Sequence, residues 1–243
     1  MPAFELRSFA VAALVVLLPA CDDAASTDGA ASTTTSATSS TSSGSGGAGG
    51  AAVDPCSPFV GSVVDVQYGD GAGFGQDQMP DIVLGPPKGG GAQTGSLDVV
   101  ALGNGGRITV AFGDRTIDDG PGPDFIVFEN AFYAGGDPSQ PFAEIAGVEV
   151  SEDGTTWKAF PCTATESPWT GCAGWHPTLA NPDENDVDPL DPSVAGGDAF
   201  DLADVGLAHA RFVRITDRVD LVGATPSFDL DAVALVNSTC SAE

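Results

Sequence analysis

The sequence predicts an all-β protein: an antiparallel β-sandwich or jelly roll behind a leader and a disordered linker. Three observations carry that expectation. The chain holds 32 glycines and 18 prolines, so its apolar runs stay short and turn signals are frequent. The runs themselves are rich in Val, Ile and Phe, which suit a pleated, half-buried surface. Strands and helix-length periodic segments do not alternate, which argues against a parallel sheet wrapped by helices.

Val60 to Tyr68 reads as the first strand, followed by the loop Gly69 to Gln78. Short β-like runs follow at Asp81 to Gly85, Leu97 to Leu102, Arg107 to Phe112 and Asp124 to Glu129. Gly103-Asn104-Gly105-Gly106 lies between two of these and predicts a hairpin. Ile145 to Ser151 and Thr156 to Phe160 flank Glu152-Asp153-Gly154, a second tight turn. Phe212 to Ile215 and Leu230 to Val236 close the series, and only Phe200 to Leu207 has room for a helical turn. No repeat of fixed period is present.

The N-terminal part has a different character. Ser8 to Pro19 is an apolar run too short to span a bilayer, with the length of a signal-peptide core. It ends at Leu18-Pro19-Ala20-Cys21, which resembles the lipobox of bacterial lipoproteins. That resemblance implies a signal peptide over 1–20, lipidation of Cys21, and anchoring to a bacterial membrane, with the outer membrane or cell surface as the expected location. A plain secretory signal with an incidental cysteine is the alternative. Residues 22–52 contain no aromatic residue and no Val, Ile or Leu. Such a segment cannot bury enough apolar surface to offset chain entropy, so 21–55 is expected to be a disordered tether. As a Gly/Ser-type coil it spans about 30 Å. The folded domain is then 56–240, with a tail at 241–243.

Composition narrows the partners. The formal net charge is −26, and removing the leader leaves it unchanged because Glu5 and Arg7 cancel. Such charge repels nucleic acid and anionic headgroups, so contact with a membrane is expected through the lipid anchor alone. The same charge attracts divalent cations. Besides Cys21 there are Cys56, Cys162, Cys172 and Cys240. In an oxidising exterior this even number predicts two disulfides, with three pairings possible. Cys56–Cys240 is favoured because these residues flank the domain, leaving Cys162–Cys172 to close a short loop. Zinc is the weaker alternative, since CxxC spacing is absent and His is scarce.

Val148-Glu149-Val150-Ser151-Glu152-Asp153-Gly154-Thr155-Thr156-Trp157 resembles the hairpin of discoidin-like domains in the galactose-binding-like superfamily. Ala210-Arg211-Phe212-Val213-Arg214-Ile215 is similar to a strand near the end of such domains, and Phe228 to Leu235 to their last strand. With Gly197 to Leu202 these segments also resemble bacterial cell-surface lipoproteins of unassigned activity. The resemblance spans roughly residues 57–237 and implies a β-sandwich that binds through rim loops. It departs from the discoidin pattern at the Gly/Pro-rich segment 85–95 and the acidic loop 181–194. Ligand-loop residues therefore do not transfer.

Carboxylates supply the candidate metal ligands. In a regular strand Asp229 and Asp231 share a face about 7 Å apart, which is unfavourable unless a cation or an arginine answers them. Calcium suits such hard oxygen donors. Asp198, Asp201, Asp124 and Glu129 are further candidates, with pairing to Arg211, Arg214 or Arg218 as the alternative. Asp183 to Val194 fails as an EF-hand, because the sixth position is Asp188 and the twelfth is Val194. A solvated acidic loop is expected there instead.

Trp157, Trp169, Trp175 and His176 are candidates for stacking on a sugar ring, with Trp169 and Trp175 favoured as ligand-binding residues because they straddle Cys172. Packing is the competing role for each. Catalytic patterns are poor: His176 and His209 are the only imidazoles, and neither HExxH nor GxSxG occurs in the domain. The expected function is non-catalytic binding of a glycan or another envelope component, with calcium as a structural aid. A glycosidase-type hydrolase using paired carboxylates and a purely structural envelope protein are the alternatives.

Overall fold

A computed structural model of the chain describes residues 54–220 and 227–241. The expected leader, Cys21 and nearly all of the linker lie outside them. Among the described residues the chain forms fourteen β-strands and four short 3-10 turns, and no α-helix. All strand pairings are antiparallel. The β-sandwich expected from the sequence is thus the architecture observed.

The first layer holds β1 (Ser62–Gln67), β3 (Arg107–Ala111), β12 (Phe212–Asp217), β8 (Ala146–Ser151) and β9 (Lys158–Ala159), in that order. Its register stacks like on like. Val213 faces Val110 and Val150, and Ile215 faces Ile108 and Val148. All six are buried and form the inner surface of the layer. The intervening residues point outward. Glu149 sits opposite Arg214, bonded at 2.7 Å, and the Arg214 guanidinium lies 3.9 Å over the Trp157 ring.

The second layer holds β10 (Asp198–Phe200), β5 (Phe125–Glu129), β13 (Asp229–Leu235) and β2 (Val100–Ala101). Phe125, Val127, Val233 and Leu235 join the core shared with the first layer, where Phe125 stacks on Phe200 at 5.2 Å and meets Phe160 edge-on at 5.8 Å. The alternate residues Ile126, Phe128, Ala232 and Ala234 form a second buried cluster on the opposite face. Ala180 and Ala195 belong to it, and Val187 and Leu190 pack against it. The acidic loop therefore has two sides. Its carboxylates are exposed, as expected, while its few apolar residues cover the sheet. Double-sided burial explains why β5 reads as an unbroken apolar run.

Smaller sheets flank these layers. β11 (His209–Ala210), β4 (Arg115–Asp118) and β14 (Ser238–Cys240) form one, and β6 (Phe132–Tyr133) with β7 (Pro141–Phe142) form another. The last is held by Phe132 stacking on Phe142 at 4.8 Å.

Several local expectations change. Gly103 to Gly106 makes a tight turn, but β2 and β3 lie in different sheets, so the turn carries the chain across layers instead of closing a hairpin. The Asp153-Gly154 turn does join a hairpin, β8 to β9, in which Asp153 Oδ1 accepts from the Thr155 and Thr156 amides at 2.7 Å each. Asp81–Val83 is a 3-10 turn that plugs Val83 into the core. The segment 97–102 contributes only Val100–Ala101 as strand. The helical turn expected near 200–207 is a 3-10 turn, Leu202–Val205.

Cys56–Cys240 and Cys162–Cys172 are both bonded. The first ties the ends of the domain across 184 residues, the second closes a 10-residue separation. Chain entropy assigns about 5 kcal/mol to the long closure and about 3 kcal/mol to the short one. Replacing Cys56 and Cys240 together by Ser should lower the denaturant midpoint more than replacing Cys162 and Cys172. Phe125→Ala, which empties the aromatic cluster between the layers, should cost about 3–5 kcal/mol in the same measurement.

Candidate functional site

The site is built where β10 docks on β5. Gly197 precedes β10 with φ +68°, and a Cβ there would lie 2.7 Å from the Phe128 ring and 2.8 Å from the Val127 carbonyl oxygen. Only glycine permits that approach. It sets Asp198 opposite Val127 and buries it to 4% exposure. The Asp198 carboxylate then collects three donors. Oδ2 accepts from the amides of Gly174 at 2.7 Å and Trp175 at 3.1 Å, and Oδ1 accepts from His176 Nδ1 at 2.7 Å. With Nδ1 donating, the imidazole presents Nε2 as an acceptor. Asp198 thus fixes both a backbone segment and a ring.

That segment forms one wall of a groove of about 460 Å³. Tyr133, Trp175, His176, Leu179, Val194 and Phe200 line it, so its surface is mostly apolar with a polar edge at His176 and Asp198. Trp175 lies against His176, ring centres 3.7 Å apart. Trp169 meets Trp175 edge-on at 6.4 Å and packs on the small cluster of Ala143, Ile145 and Cys172. Of the two tryptophans expected to bind ligand, Trp175 lines the groove and Trp169 braces it from behind. Trp157 lies apart, beneath Arg214 in a depression on the outer face of the first layer.

Behind the groove the core ends in acids. Glu129, the last residue of β5, is 2% exposed, and neither of its carboxylate oxygens has a hydrogen-bond partner. Burial holds its carboxyl well above the usual carboxylate range, the charges of Glu144, Asp229 and Asp198 push the same way, and the nearby Asn130 amide pulls down. Asp229 is pushed up to about 6, chiefly by burial, while the Asn130 side chain bonds it and pulls down. The buried Oδ1 atoms of Asp229 and Asn130 have no hydrogen-bond partner. Gly95 packs directly on Asn130, where a Cβ would overlap its side-chain oxygen. The Gly-rich stretch that departs from the discoidin pattern is thus a backbone cover over this region.

The remaining candidate acids are placed differently. A bulge between Leu230 and Ala232 interrupts the regular alternation on which pairing Asp229 with Asp231 rested. Asp231 instead accepts the Lys88 amide with both oxygens at 3.1 and 2.9 Å, and burial pushes its carboxyl up to about 8. Asp124 accepts from the Gly120 and Leu202 amides and from Asn237 Nδ2. Asp201 caps the following 3-10 turn through the Ala203 amide. Asp119, Asp124 and Asp201 each bring an oxygen within 4.8 Å of the others, a proximity the acids around Glu129 do not share. The buried member of that trio, Asp124, is nonetheless already satisfied by N–H donors. Of the three arginines weighed as partners, Arg214 turns to Glu149 and Arg218 to Asp220, while Arg211 is exposed.

Glu144, Asn130 and Tyr133 were not anticipated. A single acid inside Phe142-Ala143-Glu144-Ile145-Ala146 was a usable signal, because an isolated carboxyl in an apolar run is costly unless something answers it. Asn130 and Tyr133 carried none.

No protein-family model and no curated protein matches the chain. Among solved structures, the C-terminal domain of a chitobiase from Bacteroides fragilis is similar at 14% identity with a TM-score of 0.29. The match covers 56% of this chain and 65% of that one, just under two thirds of its length. These comparisons do not assign the chain to the discoidin-like family.

Proposed function

We propose that the domain is a non-catalytic binding module for a glycan or a similar polyhydroxylated envelope component, displayed from a bacterial surface on a lipid-anchored tether. The observation that carries the reading is the groove wall made by Trp175 and His176 and fixed by Asp198. An aromatic face stacks on the C–H face of a sugar, and Trp175 and Tyr133 offer two such faces. An imidazole nitrogen held in one tautomer accepts a hydroxyl proton, which orients the ring that stacks. Preorganisation by a buried carboxylate lowers the entropic cost of binding, since the wall does not have to order around its ligand.

The anchoring half of the proposal rests on the apolar leader ending at Cys21 and on the tether composition after it. A tether of that length lets the groove stand clear of the membrane plane.

The His176–Asp198 pair also favours a second reading, a hydrolase in which His176 acts as a base. The two readings separate cleanly. On a glycan array the purified chain should bind a defined set of sugars without releasing products, and Trp175→Ala should weaken that binding roughly tenfold or more, a loss of about 1.4 kcal/mol or more. Turnover abolished by His176→Ala would replace binding by hydrolysis as the function. An array on which sugar is neither retained nor cleaved would remove both. For the anchor, Cys21→Ser should shift the protein from the membrane fraction to a soluble one, and unchanged membrane retention would defeat lipidation.

A further inference from the structure

We propose that the hollow on the outer face of the first layer, between Arg107 and Arg214, binds the carboxylate of a small acid or an acidic sugar. The inference goes beyond the glycan reading and does not depend on it, because the hollow shares no lining residue with the groove. It encloses about 210 Å³, and Asp65, Arg107, Thr109, Trp157, Phe212 and Arg214 are among its walls. Strand register builds it. Arg214 on β12 faces Thr109 on β3, and Thr109 faces Asp65 on β1. Arg107 lies two residues before Thr109 on the same outward face. It is therefore the diagonal neighbour of Arg214, roughly 7–8 Å away between Cα atoms. The chain has 8 basic residues against 34 acidic ones, so two arginines set side by side call for a reason.

Arg214 is held on two sides. Its Nε donates to Glu149 Oε2 at 2.7 Å, and its guanidinium lies 3.9 Å over the ring of Trp157, which the Asp153-Gly154 hairpin brings there. The Glu149 bond engages Nε and the indole fixes the plane, so the terminal donors are held in a set orientation. A fork fixed in advance loses little freedom when it grips an oxyanion.

Arg107 is the unsatisfied member. Its Nη2 lies 3.8 Å from Asp65 Oδ2, too long for a hydrogen bond. Its Nε is buried with no hydrogen-bond partner. Buried polar groups in folded proteins are paired almost without exception. Nε and one terminal nitrogen are the donors with which a guanidinium takes a carboxylate side-on. Asp65 is thus a loose internal stand-in, with the right charge but without the reach. Both side chains are partly in solvent, Arg107 at 41% and Asp65 at 49% exposure, so the pair is free to part. An incoming carboxylate closes on Arg107 with two bonds, draws Nε out of its unpaired burial and leaves Asp65 to water.

The donors select the ligand. Planar guanidinium forks match the two oxygens of a planar carboxylate. Asp65 and Glu149 already offset the two positive charges, so a single negative charge suits the hollow better than a doubly charged phosphate or sulfate. Trp157 and Phe212 give the body that carries the carboxylate an apolar wall.

The test is an NMR titration of the purified chain that follows the Nε–H signals of Arg107 and Arg214. That readout is local to the hollow and indifferent to whether the groove binds sugar. The probes are acetate, methyl glucuronide and the neutral methyl glucoside. Both acidic probes should shift the two signals saturably, and methyl glucoside should not. Tighter binding of methyl glucuronide assigns the hollow to acidic sugars, whereas acetate binding at least as tightly assigns it to small free acids. Arg107→Lys keeps the charge without the fork and should weaken binding roughly tenfold. Asp65→Asn removes the internal competitor and should tighten binding severalfold, a gain that a merely structural Arg107–Asp65 pair does not produce. Signals that fail to saturate, an equal response to methyl glucoside, unchanged affinity in Arg107→Lys, or no gain in Asp65→Asn would each overturn the proposal. If Arg107→Lys fails to fold, Asp65→Asn at its exposed position decides alone.

Discussion

The antiparallel ladder between β5 and β13 is the element on which the other parts of the domain hang. Val233 faces Val127, and Leu235 faces Phe125, so the inner side of the pair enters the core between the layers. Ala234 faces Ile126 and Ala232 faces Phe128, and this side is buried as well. A strand pair with two dry faces cannot slip by one residue without exchanging its entire environment. That fixes the register of the second layer. It also fixes the position of anything attached to the ends of the two strands.

Chemistry begins where this ladder leaves its apolar stretch. At one end Glu129 and Asp229 follow directly on residues that are fully buried, and Glu144 and Asn130 join them. Asp198 enters from the neighbouring edge strand through a glycine that touches Phe128. One carboxylate of this group, Asp198, is fully used, with two amides and an imidazole as donors. Another, Glu129, is buried with only the Asn130 amide near enough to ease its burial. Two buried acids on neighbouring strands thus sit in contrasting surroundings. That arrangement places a preorganised groove wall and a deeply buried acid on neighbouring strands.

Much of the strand pattern was legible because short β-branched and aromatic runs between Gly, Pro and Asp clusters have few other uses. The hairpin around Asp153-Gly154 was legible in the strongest sense, since its turn depends on residues adjacent in sequence. The Gly103 to Gly106 turn was not. Its local chemistry is right for a hairpin, but Val100 and Ile108 enter the core on different sheets, and only long-range pairing decides that. The acidic loop was half legible. Its charges reach solvent, while Val187 and Leu190 are held by a sheet face that composition does not reveal. Among the site residues, Trp175 and Asp198 could be named from residue type, and the separation of Asp229 from Asp231 could not, because a bulge resets the alternation.

The sequence by itself determined the all-β character of the domain, its large negative charge, the even set of cysteines and the acids available to do chemistry. Those properties follow from residue type and from spacing of a few positions, where local sterics and solvation decide. The tertiary structure alone decided which acids are satisfied and which are left without donors, which tryptophan faces a groove, and which strands share a sheet. Each of these depends on contacts between segments far apart in sequence, and a burial environment belongs to the assembled core instead of to any residue within it.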